Sequence, residues 1–211
     1  MIPRALMFLV CAIFVALTCN ARPLQETRWQ SAKLRPEWIL KTDKAVFLFR
    51  RNRSRYEAIQ KARLNGVPAE IIFALHYREA DNDFTCHLAN GDPLIHRTFH
   101  APAGRIPGIN PPYTFEQGAI DALYGIDQMQ CTDWHNLGAR LDAIESYNGT
   151  GYRRFHPEVP SPYLWSGTTI YTRGKYTADG RYSATAVDAQ LGCVAILKRM
   201  DAVHLPFRLE F

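Results

Sequence analysis

The chain has 211 residues, with 25 Lys plus Arg against 20 Asp plus Glu and a formal net charge of +5 at pH 7. Hydrophobic residues make up 47% and charged residues 21%, which excludes a generally disordered chain and fits one globular domain with a leader. No Lys/Arg block with interleaved aromatics occurs, so composition gives nucleic acid no support as a partner.

The leader comes first. Arg4 gives a short positive start, Leu6 to Leu17 is nearly pure apolar, and Cys19-Asn20-Ala21 offers small residues for cleavage. The run is short for a membrane span, so residues 1–21 read as a secretory signal, with an uncleaved anchor as the lesser option. Ala16-Leu17-Thr18 is a poor match for a lipoprotein box before Cys19. The expected compartment is secreted or periplasmic, without stable membrane insertion after signal cleavage. Cys86, Cys131 and Cys193 remain, which permits one disulfide of unassigned pairing and one thiol. Their spacings do not resemble a zinc site.

Residues 22–42 read as an extended or wrapping arm carrying Trp29 and Trp38, and residues 43–211 as the main domain. Asp43 is a candidate cap for a helix from Lys44, running through the basic stretch 50–55 to a stop near Asn65-Gly66. That basic stretch reads as a solvated face. Pro68 suits the first turn of a second helix, 68–80. Ile71, Ile72, Leu75 and Glu79 then follow at helical spacing, placing Glu79 at the edge of an apolar stripe where the helix ends. A carboxylate there meets the negative end of the helix dipole and an apolar surrounding, and both raise its pKa. Such a group is a candidate general acid near neutral pH. The bland alternative is a solvated Glu paired with Arg78 or Arg97.

Residues 81–114 lack helical period and are rich in Asn, Asp, Gly, Pro and His, with short strands expected at 94–100. A loop region of this length is commonly functional. Thr114-Phe115-Glu116-Gln117 forms a capping box for the next helix. Asp133 is a candidate cap for another, whose buried stripe is Leu137, Leu141, Ile144 and Tyr147. Residues 153–182 read as irregular and aromatic, Asp179-Gly180 as a tight turn, and Ser183 as the start of a last helix ending at Lys198-Arg199. The expected architecture is mainly α, with about five helices around a cleft, long irregular connections and few short strands.

Three kinds of chemistry compete. Glycoside cleavage needs a proton donor and usually a second carboxylate. Glu79 is the donor candidate, and Asp92, in a turn facing the same region, is the first choice for the second. Asn90, Asn148 and Tyr171 are candidates for orienting sugar substituents, with the aromatics of 152–182 stacking on sugar faces. A metal reading would draw on His76, His87, Asp92, His96 and His100, but no His-Glu-x-x-His occurs. Nucleophilic catalysis is weaker: no Gly-x-Ser-x-Gly is present, and the adjacency of Cys86 and His87 does not make them a catalytic pair.

The stretch from about Arg53 to Met200 resembles the bacterial and phage lysozyme-like proteins. It is more distantly similar to soluble lytic transglycosylases and goose-type lysozymes. The residues carrying the resemblance are His76-Tyr77-Arg78-Glu79, His87-Leu88-Ala89-Asn90-Gly91-Asp92-Pro93-Leu94, Pro102-Ala103-Gly104-Arg105, Tyr147-Asn148-Gly149-Thr150-Gly151-Tyr152 and Ser161-Pro162-Tyr163-Leu164-Trp165-Ser166. In transglycosylases a Ser follows the catalytic Glu, where this chain has Ala80. Their Ala-Tyr-Asn-Ala-Gly segment corresponds to Ser146-Tyr147-Asn148-Gly149. The resemblance implies a lysozyme-like fold cleaving the glycan strands of peptidoglycan as a monomer, with Glu79 as acid, Tyr147 and Asn148 opposite it, and no metal or organic cofactor. It casts His76 and Arg78 as residues that orient the acid beside the substrate. Asp92 would activate water in a hydrolytic route; attack by the muramyl 6-hydroxyl would need no second carboxylate. The rival expectations are a zinc-dependent peptidoglycan peptidase or amidase using His87, His96 or His100, and a wall-binding protein without turnover.

Overall fold

The computed structural model describes residues 24–125, 129 and 132–203. The leader 1–21 and Cys131 lie outside the described residues. So the expected disulfide is assessed only for Cys86 and Cys193, which are both free thiols.

The fold is mainly helical, as expected. Residues 24–31 form α1, so the arm is helical rather than extended, and Trp29 is buried in the core. Leu34 bridges to Thr168, tying the arm to the far end of the chain. A 3-10 turn at Pro36–Trp38 leads directly into α2, Ile39–Lys61. Asp43 is therefore inside the helix, not at its cap. Its carboxylate instead meets the Arg199 guanidinium at 2.6 Å. The helix ends at Lys61, a turn before the predicted stop near Asn65-Gly66, where Asn65 has a positive φ of 56°. Gly66 follows because a Cβ there would fall 2.0 Å from the Gln60 carbonyl.

The helix α3, Ala69–Ala80, matches the predicted 68–80 closely, with Pro68 as its N-cap. Ile71, Ile72, Phe73, Ala74, Leu75 and His76 are all buried, so the helix is enclosed on more than one stripe. It packs against α2 and against the last helix, α8 (Cys193–Ala202). Each large apolar side chain buried there contributes about 1.5–3 kcal/mol, which holds α3 in the core. Asp81 closes it in the left-handed conformation with φ 49°.

Residues 81–114 are irregular, and the expected strands at 94–100 are absent. A single bridge, Cys86 to Pro93, is formed there instead. The chain at 99–100 is folded back onto Asp92 and cannot extend. The capping box is present in full: Thr114 Oγ1 accepts from Gln117 N at 3.2 Å, and Gln117 Oε1 accepts from Thr114 N at 2.9 Å. It opens α4, Phe115–Ile120, which runs into a π-helical turn at Asp121–Gly125.

Next come α5 (Leu137–Tyr147), α6 (Gly151–Phe155) and α7 (Pro162–Trp165). Asn136, not Asp133, caps α5, accepting from Ala139 N at 2.8 Å. Asp133 accepts from His135 N in the preceding turn. The predicted turn at Asp179-Gly180 joins β1 (Lys175–Ala178) to β2 (Arg181–Ser183), an antiparallel pair. Ser183 ends that hairpin rather than opening a helix; its Oγ accepts from Ala186 N. Gly192 is the N-cap of α8. No helix among the described residues is long and apolar enough to cross a membrane.

Candidate active site around Glu79

Glu79 occupies the last turn of α3. Helices α5, α7 and α8 bring Tyr147, Tyr163 and Cys193 to its neighbourhood. The Tyr163 hydroxyl donates to Glu79 Oε1 at 2.7 Å. Among the described residues Glu79 forms no ion pair. Burial raises its pKa; the Tyr163 hydrogen bond and the charge of Arg78 oppose that rise without cancelling it. Glu79 as a whole residue is half-buried.

The surroundings are built to stay neutral. The Tyr147 and Tyr163 hydroxyls are pushed well above the ordinary tyrosine range, first by burial and then by the Glu79 charge. The Cys193 thiol is pushed up to about 12 by burial, and its Sγ faces the Ala74 carbonyl at 3.7 Å. A thiol held that high is no nucleophile. Tyr147 donates to the Leu88 carbonyl at 3.0 Å, which pins the 86–93 loop against this end of α3. Gly91, with φ +76°, lets that loop pass close to α3: a Cβ there would sit 3.5 Å from the Glu79 carbonyl.

Arg78 points elsewhere. Its guanidinium meets Asp188 Oδ2 at 2.6 Å and donates to the Leu191 carbonyl at 3.3 Å. It also lies 5.3 Å from the Tyr163 ring centre. Asp188 is buried and binds Lys175 Nζ at 3.0 Å, so its carboxyl is held below the usual range by these two cations against the opposing effect of burial. The pairing of Glu79 with Arg78 or Arg97 is therefore not formed; Arg97 donates to the Ile109 carbonyl. Arg78 acts on Glu79 through space and through Tyr163.

Asp92 has a different environment. Its Oδ2 accepts from the backbone N–H of Phe99 at 2.8 Å and of His100 at 2.9 Å. Its Oδ1 meets His100 Nδ1 at 2.6 Å. These donors hold its pKa below the ordinary value despite burial. Both oxygens are engaged in holding the 98–100 turn. Asn90 belongs to the same clamp, donating to the His100 carbonyl and accepting from Asp92 N at 3.1 Å each.

Two predicted substrate contacts are corrected. His76 is fully buried, with Nε2 donating to the Asp83 carbonyl at 3.0 Å and Nδ1 2.9 Å from the Tyr56 hydroxyl. Its ring lies 4.2 Å from that of Phe115, and burial is the leading cause that brings its pKa down to about 4. It is a neutral core histidine that supports the end of α3 and touches no substrate. Tyr171 is likewise buried; its hydroxyl donates to the Gly174 carbonyl and accepts from Asp188 N. By contrast, Tyr147 sits beside Glu79 and Asn148 is exposed at the end of α5.

The histidines of the metal reading do not converge. His87 is buried and donates to the His96 carbonyl at 2.9 Å, while His100 serves Asp92. Among the described residues no group of three or more His, Cys, Asp or Glu is placed to hold a metal ion. Sequence reasoning placed Tyr163 only among the aromatics expected to stack on sugar, missing its hydrogen bond to Glu79, and it missed Asp188 altogether. Tyr163 stands 84 residues from Glu79. The only local signal was the Ser161-Pro162-Tyr163 start of a short helix.

No family model, curated protein or solved structure matches the chain.

Proposed function

We propose that this protein cleaves the glycan strands of peptidoglycan in the secreted or periplasmic compartment, with Glu79 as the proton donor. One observation carries the reading. Glu79 is a carboxyl at a helix end, on a half-buried residue and without an ion pair among the described residues, whose surroundings favour its protonated form. Such a group holds its proton until a leaving oxygen needs it.

The placement of Asp92 favours the lytic branch over the hydrolytic one. A carboxylate already accepting three hydrogen bonds, with a depressed pKa, is a poor base for water. In the lytic branch Glu79 does both proton transfers. It protonates the oxygen bridging N-acetylmuramic acid and N-acetylglucosamine as the bond from C1 to that oxygen breaks. The resulting carboxylate then takes the proton of the muramyl 6-hydroxyl as its oxygen bonds to C1. The product is a 1,6-anhydro end, Glu79 is again protonated, and no water is consumed. Tyr163 holds the carboxyl in one orientation through both steps. Asn148, the exposed ring of Phe155 and the half-buried rings of Tyr176 and Tyr182 are among the groups with surface left to meet sugar.

Mass spectrometry of muropeptides released from purified sacculi tests this. The proposal expects anhydro-muramyl ends. Products carrying added water would move the assignment to the hydrolytic branch. Intact strands with cut peptides would overturn it.

A further inference from the structure

The outer face of α2 carries large apolar and basic side chains together. Leu40 is 83% exposed and Phe47 62% exposed, and their spacing of seven positions puts both on one side of the helix. Lys44 and Arg51 lie on the same side, with Arg50 and Lys61 flanking it, all of them exposed. None of these four cations has an ion pair or side-chain hydrogen bond among the described residues. The acids of α2 are already neutralised: Asp43 by Arg199, and Glu57 by Arg53 at 2.7 Å. The opposite side of the helix is committed to the core through Ala45, Val46, Phe49, Tyr56 and Ile59. A solvated basic face explains the cations. It does not explain two large apolar side chains standing among them.

We propose that this face is a peripheral docking surface for an anionic phospholipid leaflet. The cations complement the headgroup charge, and Leu40 and Phe47 enter the boundary between headgroups and acyl chains. A soluble or wall-bound polyanion would satisfy the cations but offers nothing to the two apolar side chains. The helix lies along the surface without spanning it. The inference is independent of the activity proposed for Glu79.

The test uses the chain as exported by producing cells, with its N-terminus read by mass spectrometry. It is sedimented with vesicles of phosphatidylcholine alone and of phosphatidylcholine with phosphatidylglycerol. Partition is expected to be strong only with the anionic vesicles. The Arg50→Gln/Arg51→Gln double variant should weaken it by roughly fivefold for each cation removed. The Leu40→Ser/Phe47→Ser double variant should weaken it by about tenfold or more. All four side chains are exposed, so circular dichroism should match wild type. Equal partition to neutral and anionic vesicles would overturn the proposal. So would a serine variant that binds anionic vesicles like wild type while the glutamine variant does not; that result would assign the face to a polyanion.

Discussion

Glu79 and Asp92 are carboxylates thirteen residues apart in sequence, at two regions packed against each other, and their environments push them in opposite directions. At the end of α3, Glu79 receives one hydroxyl hydrogen bond, and burial raises its pKa. In the 86–100 loop, Asp92 receives two backbone N–H groups and a histidine, and its pKa falls. The lesson is that the number of donors, not depth alone, decides which carboxyl holds a proton. One is suited to giving a proton away, the other to holding a turn.

Replacing Glu79 is the sharpest way to break that contrast. Glu79→Gln should slow clearing of purified walls by about 10²–10⁴-fold, the usual contribution of a general acid, with the fold retained by circular dichroism. Asp188→Ala should be the largest loss of stability. It leaves Arg78 without its carboxylate beside Tyr163, at a cost of about 3 kcal/mol in denaturant unfolding.

Asp92→Asn should lower stability by about 2 kcal/mol, because it weakens charge-assisted bonds to two backbone donors, while wall clearing falls only as far as the fold does. If clearing stopped in a fully folded Asp92→Asn protein, the hydrolytic role would return to Asp92.

The pH dependence of stability carries opposite signs at the two residues. The stabilisation from Asp92, with its lowered pKa, is present above the ordinary carboxylate pKa and is lost as pH falls through the folded value. For Glu79 the raised folded pKa makes stability fullest below the ordinary value and lost as pH rises through the folded one. The melting temperature of Glu79→Gln should therefore gain on wild type as pH increases from the acid side towards neutrality. The smallest expected effect is that of Tyr163→Phe. Removing the donor that favours the charged form should raise the Glu79 pKa further. The limb of the pH–rate profile that reports Glu79 then moves to higher pH, with a loss of about tenfold or less in rate.

Much of the helical frame was legible in the sequence because its signals are local. Pro68 followed by Ile71, Ile72 and Leu75 marks α3, and Thr114 with Gln117 marks α4. Asp179-Gly180 marks the hairpin. The errors came where a residue's partner lies far along the chain. Asp43 has the form of a cap but is drawn into the helix body and paired with Arg199, 156 residues on. His76 shares a helix face with Glu79, yet the aromatic packing of Phe84 and Phe115 encloses it. Glu79 could be found from its position at a helix end. The hydrogen bond from Tyr163 and the pairing of Arg78 with Asp188 could not, because only the contact of α3 with α7 and with the 183–191 segment brings these groups together.

The most direct measurement is an NMR titration of the side-chain carboxyl carbons of Glu79 and Asp92, assigned with Glu79→Gln and Asp92→Asn. The account expects Glu79 to titrate above the ordinary value of about 4.3 for a free glutamate, and Asp92 below about 3.9 for a free aspartate. A Glu79 midpoint at or below the ordinary value would contradict it, whatever Asp92 does.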